Sequence, residues 1–181
     1  MPRLSELTRE DLSADAQPIW DAIAGPRGAV RGPYQVLMHD PALAERVQAL
    51  GGYLRFHGVL PGAVRELAIL TAARELDAAF EWVMHEPFAH EAGTSPAAIE
   101  AVRTGGPLDG LSEREQIVIE TVRSLYRTRA IPDPLYQRAL AELELPHLVE
   151  LVTLAGFYGM IAFTLFAFEV PLPAGATPPF S

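Results

Sequence analysis

The chain has 181 residues, a formal net charge of −9 at pH 7 and no cysteine. This length predicts one domain, and a hydrophobic content of 49% supplies enough apolar material for a core. The acidic balance argues against nucleic-acid binding and against docking on anionic membranes, because both need a basic surface. The lack of cysteine excludes disulfides, zinc ribbons, iron–sulfur clusters and thiol nucleophiles. The polar first residues show no secretory signal pattern, so we expect a cytoplasmic protein.

Proline, glycine and capping residues divide the chain into helices, and no segment alternates in the way typical of a strand. Gly25 is predicted to end the first helix, and a glycine- and proline-rich loop follows over residues 25–34. The predicted helices cover residues 14–24, a segment from Pro41, a segment from Pro61, residues 77–92, 96–103 and 113–127, a segment from Asp133, and residues 146–169. The expected architecture is all-α: one helical bundle of about eight helices over residues 1–169, and a proline-rich tail, extended or mobile, over residues 170–181.

Apolar spacing predicts which helix faces are buried. In the helix from Pro41 the expected core stripe is Leu43, Val47, Leu50 and Leu54. In the helix from Pro61 the expected core residues are Val64, Leu67, Ile69, Leu70 and Ala73, with Arg65, Glu66, Arg74 and Glu75 as its polar members.

Residues 151–168 form an uncharged stretch long enough for a membrane span. The stretch lies between Glu150 and Glu169 and lacks the basic flanks that orient a span, so we interpret it as a buried helix. A domain of this size has few places for a helix that is apolar all round, which predicts a contact between subunits. Gly156 and Gly159 would allow backbones to approach closely there.

The residues that predict chemistry are Glu66, Glu81 and His85. Glu81 and His85 are four residues apart and therefore share a helix face, where the carboxylate favours the imidazolium. Glu66 would join them if the two helices pack antiparallel, giving an acid–base site with two carboxylates and one imidazole. The alternative is a solvated Glu–His pair with a purely structural role.

No metal site or cofactor is predicted. His85 and His90 are five residues apart, which turns them about 140° from each other on a helix, and Pro87 lies between them. The glycine pairs Gly51-Gly52, inside a helical pattern, and Gly105-Gly106, in a turn, do not form a phosphate-binding loop.

The order of residues between positions 60 and 103 resembles the carboxymuconolactone decarboxylase and alkylhydroperoxidase D superfamily. The resemblance is carried by Arg65-Glu66-Leu67, by Glu81-Trp82, by His85 and by the Ala-Gly that follows at 92–93. It implies an all-α, alkylhydroperoxidase D-like subunit that assembles into trimers or hexamers.

In the peroxidase branch of that superfamily a Glu is followed by a Cys-x-x-Cys pair and a His. The resemblance places these on Glu66, Ala78, Glu81 and His85, so both thiols are missing from this chain. Reduction of peroxide by that branch needs a thiolate and a resolving thiol, and we therefore do not expect thiol peroxidase activity.

The thiol-free decarboxylase branch fits better and implies a cofactor-independent lyase or isomerase acting on a small carboxylated or enolisable, lactone-like compound. His85 would donate a proton, Glu81 would orient and charge His85, and Glu66 would act as base or orienter. The residues expected to contact substrate are Trp82 and Tyr158, which would line the pocket, and Arg65 (or Arg55), which would bind a carboxylate. The Glu81-Trp82 pair sets this chain apart from the dedicated lactone decarboxylases.

Two other functions stay open. A hydrolase or dehydratase on the same scaffold would use the same acid–base pair, and both kinds of enzyme need an apolar hollow around the three groups. A non-catalytic oligomeric binding protein would need no such hollow. The expected partners are a small-molecule substrate and further copies of this chain, without nucleic acid or membrane.

Overall fold

The computed structural model describes residues 2–180, and within them the regular secondary structure is entirely helical. A 3-10 turn at Arg9–Asp11 precedes the first helix, and a π-helical segment at Tyr53–His57 follows the third. The α-helices of the described chain are α1 (Gln17–Arg27), α2 (Pro33–Leu37), α3 (Pro41–Gly52), α4 (Gly62–Glu75), α5 (Ala79–Glu91), α6 (Pro96–Thr104), α7 (Glu113–Thr128) and α8 (Asp133–Ala167). The all-α prediction is confirmed.

The predicted helix starts are confirmed where a side chain caps them. Asp40 accepts a hydrogen bond from the Leu43 amide at the start of α3, and Ser95 accepts one from Ala98 at the start of α6. Ser112 begins α7 with the predicted capping box, in which the Glu115 carboxylate accepts in turn from the Ser112 amide. Each cap satisfies amides that have no partner within the helix, which is why these starts are visible in the sequence.

Three predictions for the first part of the chain are wrong. Gly25 lies inside α1, and the helix instead ends at Gly28, whose φ of 75° suits a residue without a β-carbon. The predicted loop contains the start of α2 at Pro33. Leu43 and Leu50 are 47% and 44% exposed, so only Val47 and Leu54 of that stripe are buried.

The described residues form two compact units. The first unit contains residues 2–57 together with Phe163–Pro171, and within it α3 contacts α1, α2 and the π-helical segment. The second unit contains Gly58–Ala162 and the residues from Leu172 onward. The predicted site residues Glu66, Glu81 and His85 belong to the second unit.

Helix α4 is the centre of the second unit, where it packs on α5, α6 and α7. Its predicted core residues are all buried, but Glu66, expected among the polar members, is also buried, with 2% of its surface exposed. A helix surrounded on three sides has little solvent face, so a carboxylate on it needs an internal partner.

Helix α8 is interrupted where the sequence predicts a new helix. Glu144 has a φ of 61° and a ψ of 159°, and Pro146 follows two residues later. The most apolar 18-residue window of α8 has a mean hydropathy of 1.8, sufficient by length and composition for a membrane span, and 61% of that window is buried within the protein. Core helices of soluble proteins share this pattern.

Glu150 of α8 holds the segment before α4 in place within the second unit. Its carboxylate accepts hydrogen bonds from the amides of Val59 (2.8 Å) and Leu60 (3.0 Å), and the residue is only 7% exposed. A β-carbon at Gly58 would collide with this carboxylate, so any other residue there would have to displace the Glu150 side chain from the two amides. The bonds fix the approach of the chain to α4 and hence the start of the helix that carries Glu66.

We expect Glu150→Ala to lower the free energy of unfolding by about 1–3 kcal/mol, because the buried Leu60 amide and the partly buried Val59 amide lose their acceptor. Urea denaturation measures this loss. The matched control is Glu142→Ala on the same helix, which removes only a surface pair with Arg114 and is expected to cost about 0–1 kcal/mol. Equal losses for the two variants would contradict the anchoring role of Glu150.

Candidate functional site

The candidate site lies between α4 and α5, which are consecutive helices joined by residues 76–78. Asp77 in this connection has a φ of 52°, a left-handed conformation that reverses the chain, and α5 then packs against α4. The reversal places Glu66 of α4 opposite the first turns of α5, where Glu81 and His85 share one face. This is the antiparallel arrangement on which the sequence prediction of a three-residue cluster depended.

His85 has a carboxylate at each ring nitrogen. Its Nδ1 lies 2.8 Å from Oε2 of Glu66, and its Nε2 lies 3.6 Å from Oε2 of Glu81. All three residues are buried, with exposed fractions of 2% for Glu66 and 4% each for Glu81 and His85. The first distance is a hydrogen bond, whereas the second is longer than one. The structure thus brings the three predicted residues together, with Glu66 as the closer carboxylate.

The Glu66 carboxyl is held in its ionised form. Burial acts to raise the pKa of Glu66, but the hydrogen bond and charge of His85, together with those of Arg65, outweigh burial and lower the pKa below its usual value. An ionised carboxylate only accepts hydrogen bonds. The Nδ1 of His85 therefore carries a proton and donates a hydrogen bond to Glu66.

Nε2 of His85 and the Glu81 carboxylate lie on the edge of the imidazole ring opposite Glu66, and this is where a proton can be exchanged. With Nδ1–H committed to Glu66, a neutral imidazole would direct the Nε2 lone pair at the Glu81 oxygen, and two acceptors repel. The contact becomes attractive when one proton resides on either Nε2 or Glu81. The Nε2–Glu81 edge is consequently the place where this arrangement can give or take a proton.

Arg65 and two aromatic rings surround the cluster. The Arg65 Nε donates to Oε1 of Glu66 at 3.2 Å, and the Arg65 side chain is 22% exposed. The Tyr158 ring meets the His85 ring edge-on, with centroids 5.0 Å apart. Phe88, which the sequence analysis did not single out, also meets the His85 ring edge-on, with ring centroids 6.1 Å apart. Its position three residues after His85 is the signal that could have indicated it.

Trp82, predicted to line the pocket, is a core residue with different neighbours. It is fully buried, its Nε1 donates to Glu86 at 3.0 Å, and its ring contacts Phe180 and lies beneath the guanidinium of Arg103. Trp82 and Glu86 form a row on α5 about 100° away from Glu81 and His85. The other candidate cation, Arg55, lies in the first unit, with its guanidinium over the Phe56 ring.

One cleft of the second unit has a volume of about 210 Å³. Its lining comes from α4, α6 and α7 with their connections, and consists of Ala63, Val64, Leu67, Gly93, Thr94, Ser112, Arg114, Glu115 and Val118. Leu67 adjoins Glu66 in the chain, but none of the three clustered residues lines this cleft. It is therefore not the hollow that the sequence analysis expects around them.

The helical region around the site is similar to known proteins. Residues 41–120 match the family model of the carboxymuconolactone decarboxylase family. No curated protein matches the sequence. Among solved structures, the chain is similar to a crystal structure of a protein of unknown function from Agrobacterium tumefaciens, proposed to be the antioxidant defence protein AhpD. The two share 17% sequence identity at a TM-score of 0.62, over 76% of this chain and 95% of that one, which shows a common fold.

The family match contains Glu66, Glu81 and His85, and the fold agrees with the resemblance found in the sequence. Over residues 41–120 the chain is thus similar to the carboxymuconolactone decarboxylase family, and it shares its fold with the protein from Agrobacterium tumefaciens.

Proposed function

We propose that the protein is a cytoplasmic, cofactor-independent lyase or isomerase that acts on a small carboxylated or enolisable, lactone-like compound by acid–base chemistry. The observation that carries this proposal is the buried line of Glu66, His85 and Glu81. Burying two carboxylates and an imidazole is costly unless each has a partner, and such groups cluster at functional sites more often than in ordinary cores. Hydrogen-bond contact between Glu66 and His85 also favours catalysis over a purely structural pair.

Each residue has a separate task in this mechanism. Glu66 fixes the tautomer and orientation of His85, as a buried carboxylate does for a catalytic imidazole. His85 Nε2 and Glu81 hold the transferable proton. In a decarboxylation the bond to the leaving CO2 breaks and its electron pair is delocalised into the lactone carbonyl as a dienolate. A proton from the His85–Glu81 edge is then delivered to carbon, and solvent replaces that proton before the next turnover. In an isomerisation the same edge removes and replaces a proton.

Substrate binding would use Arg65 and Tyr158. Arg65 presents five N–H donors, of which Nε serves Glu66, and its partly exposed guanidinium provides a cation for a substrate carboxylate. Tyr158 supplies an apolar wall beside His85. Trp82 contributes to the position of α5 instead of lining the site.

A hydrolase or dehydratase could use the same proton-transfer edge and differs only in the bond that breaks. The antioxidant role proposed for the protein from Agrobacterium tumefaciens is a further candidate through the shared fold. A thiol-based version of that role has no nucleophile here, since the chain contains no cysteine. A non-catalytic oligomeric binding protein, which needs no hollow around the three residues, stays the alternative, but it would leave the buried acid–base line without a task.

The first test is loss of turnover in His85→Ala. Unsaturated lactone acids and related enolisable acids are screened by the change in ultraviolet absorbance as conjugation is lost or moved. For any compound turned over, we expect His85→Ala to lower kcat by about 100- to 10,000-fold, because a positioned general acid or base contributes that much.

The matched control for this test is His90→Ala, on the same helix but with a side chain that is 51% exposed. We expect His90→Ala to retain the activity of the parent protein. Full activity in His85→Ala, with folding unchanged by circular dichroism, would refute the proposed mechanism.

The lowered pKa of Glu66 predicts how stability depends on pH. The unfolded carboxyl titrates near its ordinary pKa of about 4.3, so the native interactions of Glu66 contribute fully above that pH and are lost as the pH falls through the lower native pKa. We expect the difference in free energy of unfolding between the parent protein and Glu66→Gln to be constant near neutrality and to shrink on acidification. Urea denaturation at pH 7 and at steps below pH 4.5 checks this sign. A difference that grows toward acid would contradict it.

We also propose that copies of this chain associate through an exposed stripe on α8. The stripe consists of Leu145, Val149, Val152, Gly156 and Met160, spaced by three or four residues, and its apolar side chains are 37–57% exposed. Contiguous apolar patches on soluble proteins mark interaction surfaces. An uncharged stripe is complementary to itself, and Gly156 allows close approach at its centre.

The second glycine expected in this contact has another role. Gly159 is buried, and a β-carbon there would lie 2.9 Å from the hydroxyl oxygen of Tyr126. That hydroxyl donates to the Ala155 carbonyl at 2.7 Å, and burial raises the pKa of Tyr126 to about 12. Gly159 therefore serves the packing of α7 on α8 inside the second unit.

Sedimentation velocity tests the proposed association. We expect the parent protein to sediment as a homo-oligomer and Val149→Glu to shift it toward the monomer, because a charge would be buried in an apolar contact. Gln137→Glu, at an exposed position on the first part of α8, should leave the oligomer intact. A monomeric parent protein, or an unchanged oligomer in Val149→Glu, would contradict this interface.

A further inference from the structure

Four side chains of the second unit form a row in which each contacts the next. The guanidinium carbon of Arg74 lies 4.8 Å from the ring centroid of Phe180, and the Phe180 ring meets Trp82 edge-on with centroids 5.1 Å apart. On the far side the guanidinium carbon of Arg103 lies 4.8 Å from the Trp82 ring. Three members belong to α4, α5 and α6, whereas Phe180 comes from the tail, about a hundred residues further along the chain.

The three helical residues are held in place by bonds that do not involve the tail. Arg74 Nε donates to the Arg103 carbonyl oxygen at 2.8 Å, Trp82 Nε1 donates to Glu86 at 3.0 Å, and Arg103 pairs with the same Glu86. Arg74 also pairs with Asp77. Arg74, Trp82 and Arg103, hereafter the socket, thus form a preorganised surface for a ring.

The chemistry of the socket selects a neutral aromatic ring. An indole edge and a guanidinium face both favour the π-system of such a ring. The charges of Arg103 and Arg74 are already balanced by Glu86 and Asp77, so an anionic ligand gains little from them.

The tail is built to present such a ring at low entropic cost. The Ala176 amide donates to the Pro173 carbonyl at 3.0 Å, and Gly175 has a φ of 81°, which together make a turn. Two further prolines, Pro178 and Pro179, stiffen the chain directly before Phe180. The tail is expected from its composition to be extended or mobile, but it has a defined turn, and its Phe180 ring packs against Trp82.

We propose that the socket is a docking site for an aromatic residue carried on a proline-rich segment, and that the tail is its resident, exchangeable occupant. The Phe180 ring is held by non-covalent aromatic and cation–π contacts, so an identical segment supplied in trans can replace the tail. Docking adds a second restraint on the Trp82 ring beside its hydrogen bond with Glu86, and Trp82 adjoins Glu81 and lies one turn from His85. Occupancy of the socket therefore positions the part of α5 that carries these two groups, and Phe180 is a positioning residue.

The test uses full-length protein in a Trp20→Phe background, which leaves Trp82 as the only tryptophan. We expect Phe180→Ala to shift Trp82 emission to longer wavelength and to raise acrylamide quenching by about twofold or more, as a buried indole becomes accessible. Phe180→Tyr should behave like the parent protein, because it keeps the ring. Phe168→Ala, at an exposed phenylalanine outside the tail segment, is the matched control and should have no effect.

Exchange is tested by adding a synthetic peptide with the sequence of residues 172–181 to the Phe180→Ala variant. We expect the peptide to restore the parent emission and quenching in a saturable manner, and the same peptide with alanine in place of Phe180 to fail. The NMR signals of the His85 ring should move in Phe180→Ala and return with the peptide, which a merely local change at the tail would not produce. Unchanged Trp82 fluorescence in Phe180→Ala, equal rescue by the two peptides, or stationary His85 signals would overturn the proposal.

Discussion

The candidate site depends on one interaction, the hydrogen bond between the buried carboxylate of Glu66 and the imidazole of His85. Taking either group out of water alone would cost several kcal/mol, so each is tolerated because the other is present. The bond also joins α4 to α5 at one defined register, because a 2.8 Å contact between two short side chains leaves little freedom for the helices to slide. The geometry of Glu81 and the aromatic rings around His85 follows from that register.

The same bond explains why the two carboxylates next to His85 are not equivalent. Glu66 faces Nδ1 and also receives a hydrogen bond from Arg65, so its negative charge is doubly compensated. Glu81 stands 3.6 Å from Nε2, beyond hydrogen-bond distance. In the proposed chemistry Glu66 orients the ring, which is one of the two roles that the sequence leaves open for it, and Glu81 shares the mobile proton with His85 instead of orienting it.

Local features could be predicted from the sequence, whereas contacts between distant segments could not. Helix starts can be predicted at Asp40, Ser95 and Ser112 because each capping side chain bonds to an amide within four residues of it. The spacing of Glu81 and His85, four residues apart on one helix, is equally local. The prediction that Gly25 ends the first helix is wrong because a glycine inside a helix costs only about 1 kcal/mol, which the packing of α1 offsets. The Phe180–Trp82 contact has no local signature, so composition indicated only a proline-rich tail. The pocket role predicted for Trp82 is not supported, because a rotation of 100° per residue turns Trp82 away from Glu81, and its ring packs on Phe180 and Arg103.

The superfamily resemblance places the two missing thiols at Ala78 and Glu81, and the structure gives these positions different surroundings. Ala78 is the N-cap residue of α5 and is only 1% exposed, so a small apolar side chain fits a site closed to solvent. Glu81 lies one helical turn later, beside the Nε2 of His85. A thiol at this position would exchange electrons, whereas a carboxylate exchanges only protons. The scaffold that positions a histidine next to the second thiol position places a carboxylate and an imidazole side by side in this chain. The proposed lyase or isomerase chemistry uses that pair to move a proton, and it also needs Arg65 and Tyr158 to hold the substrate beside the pair.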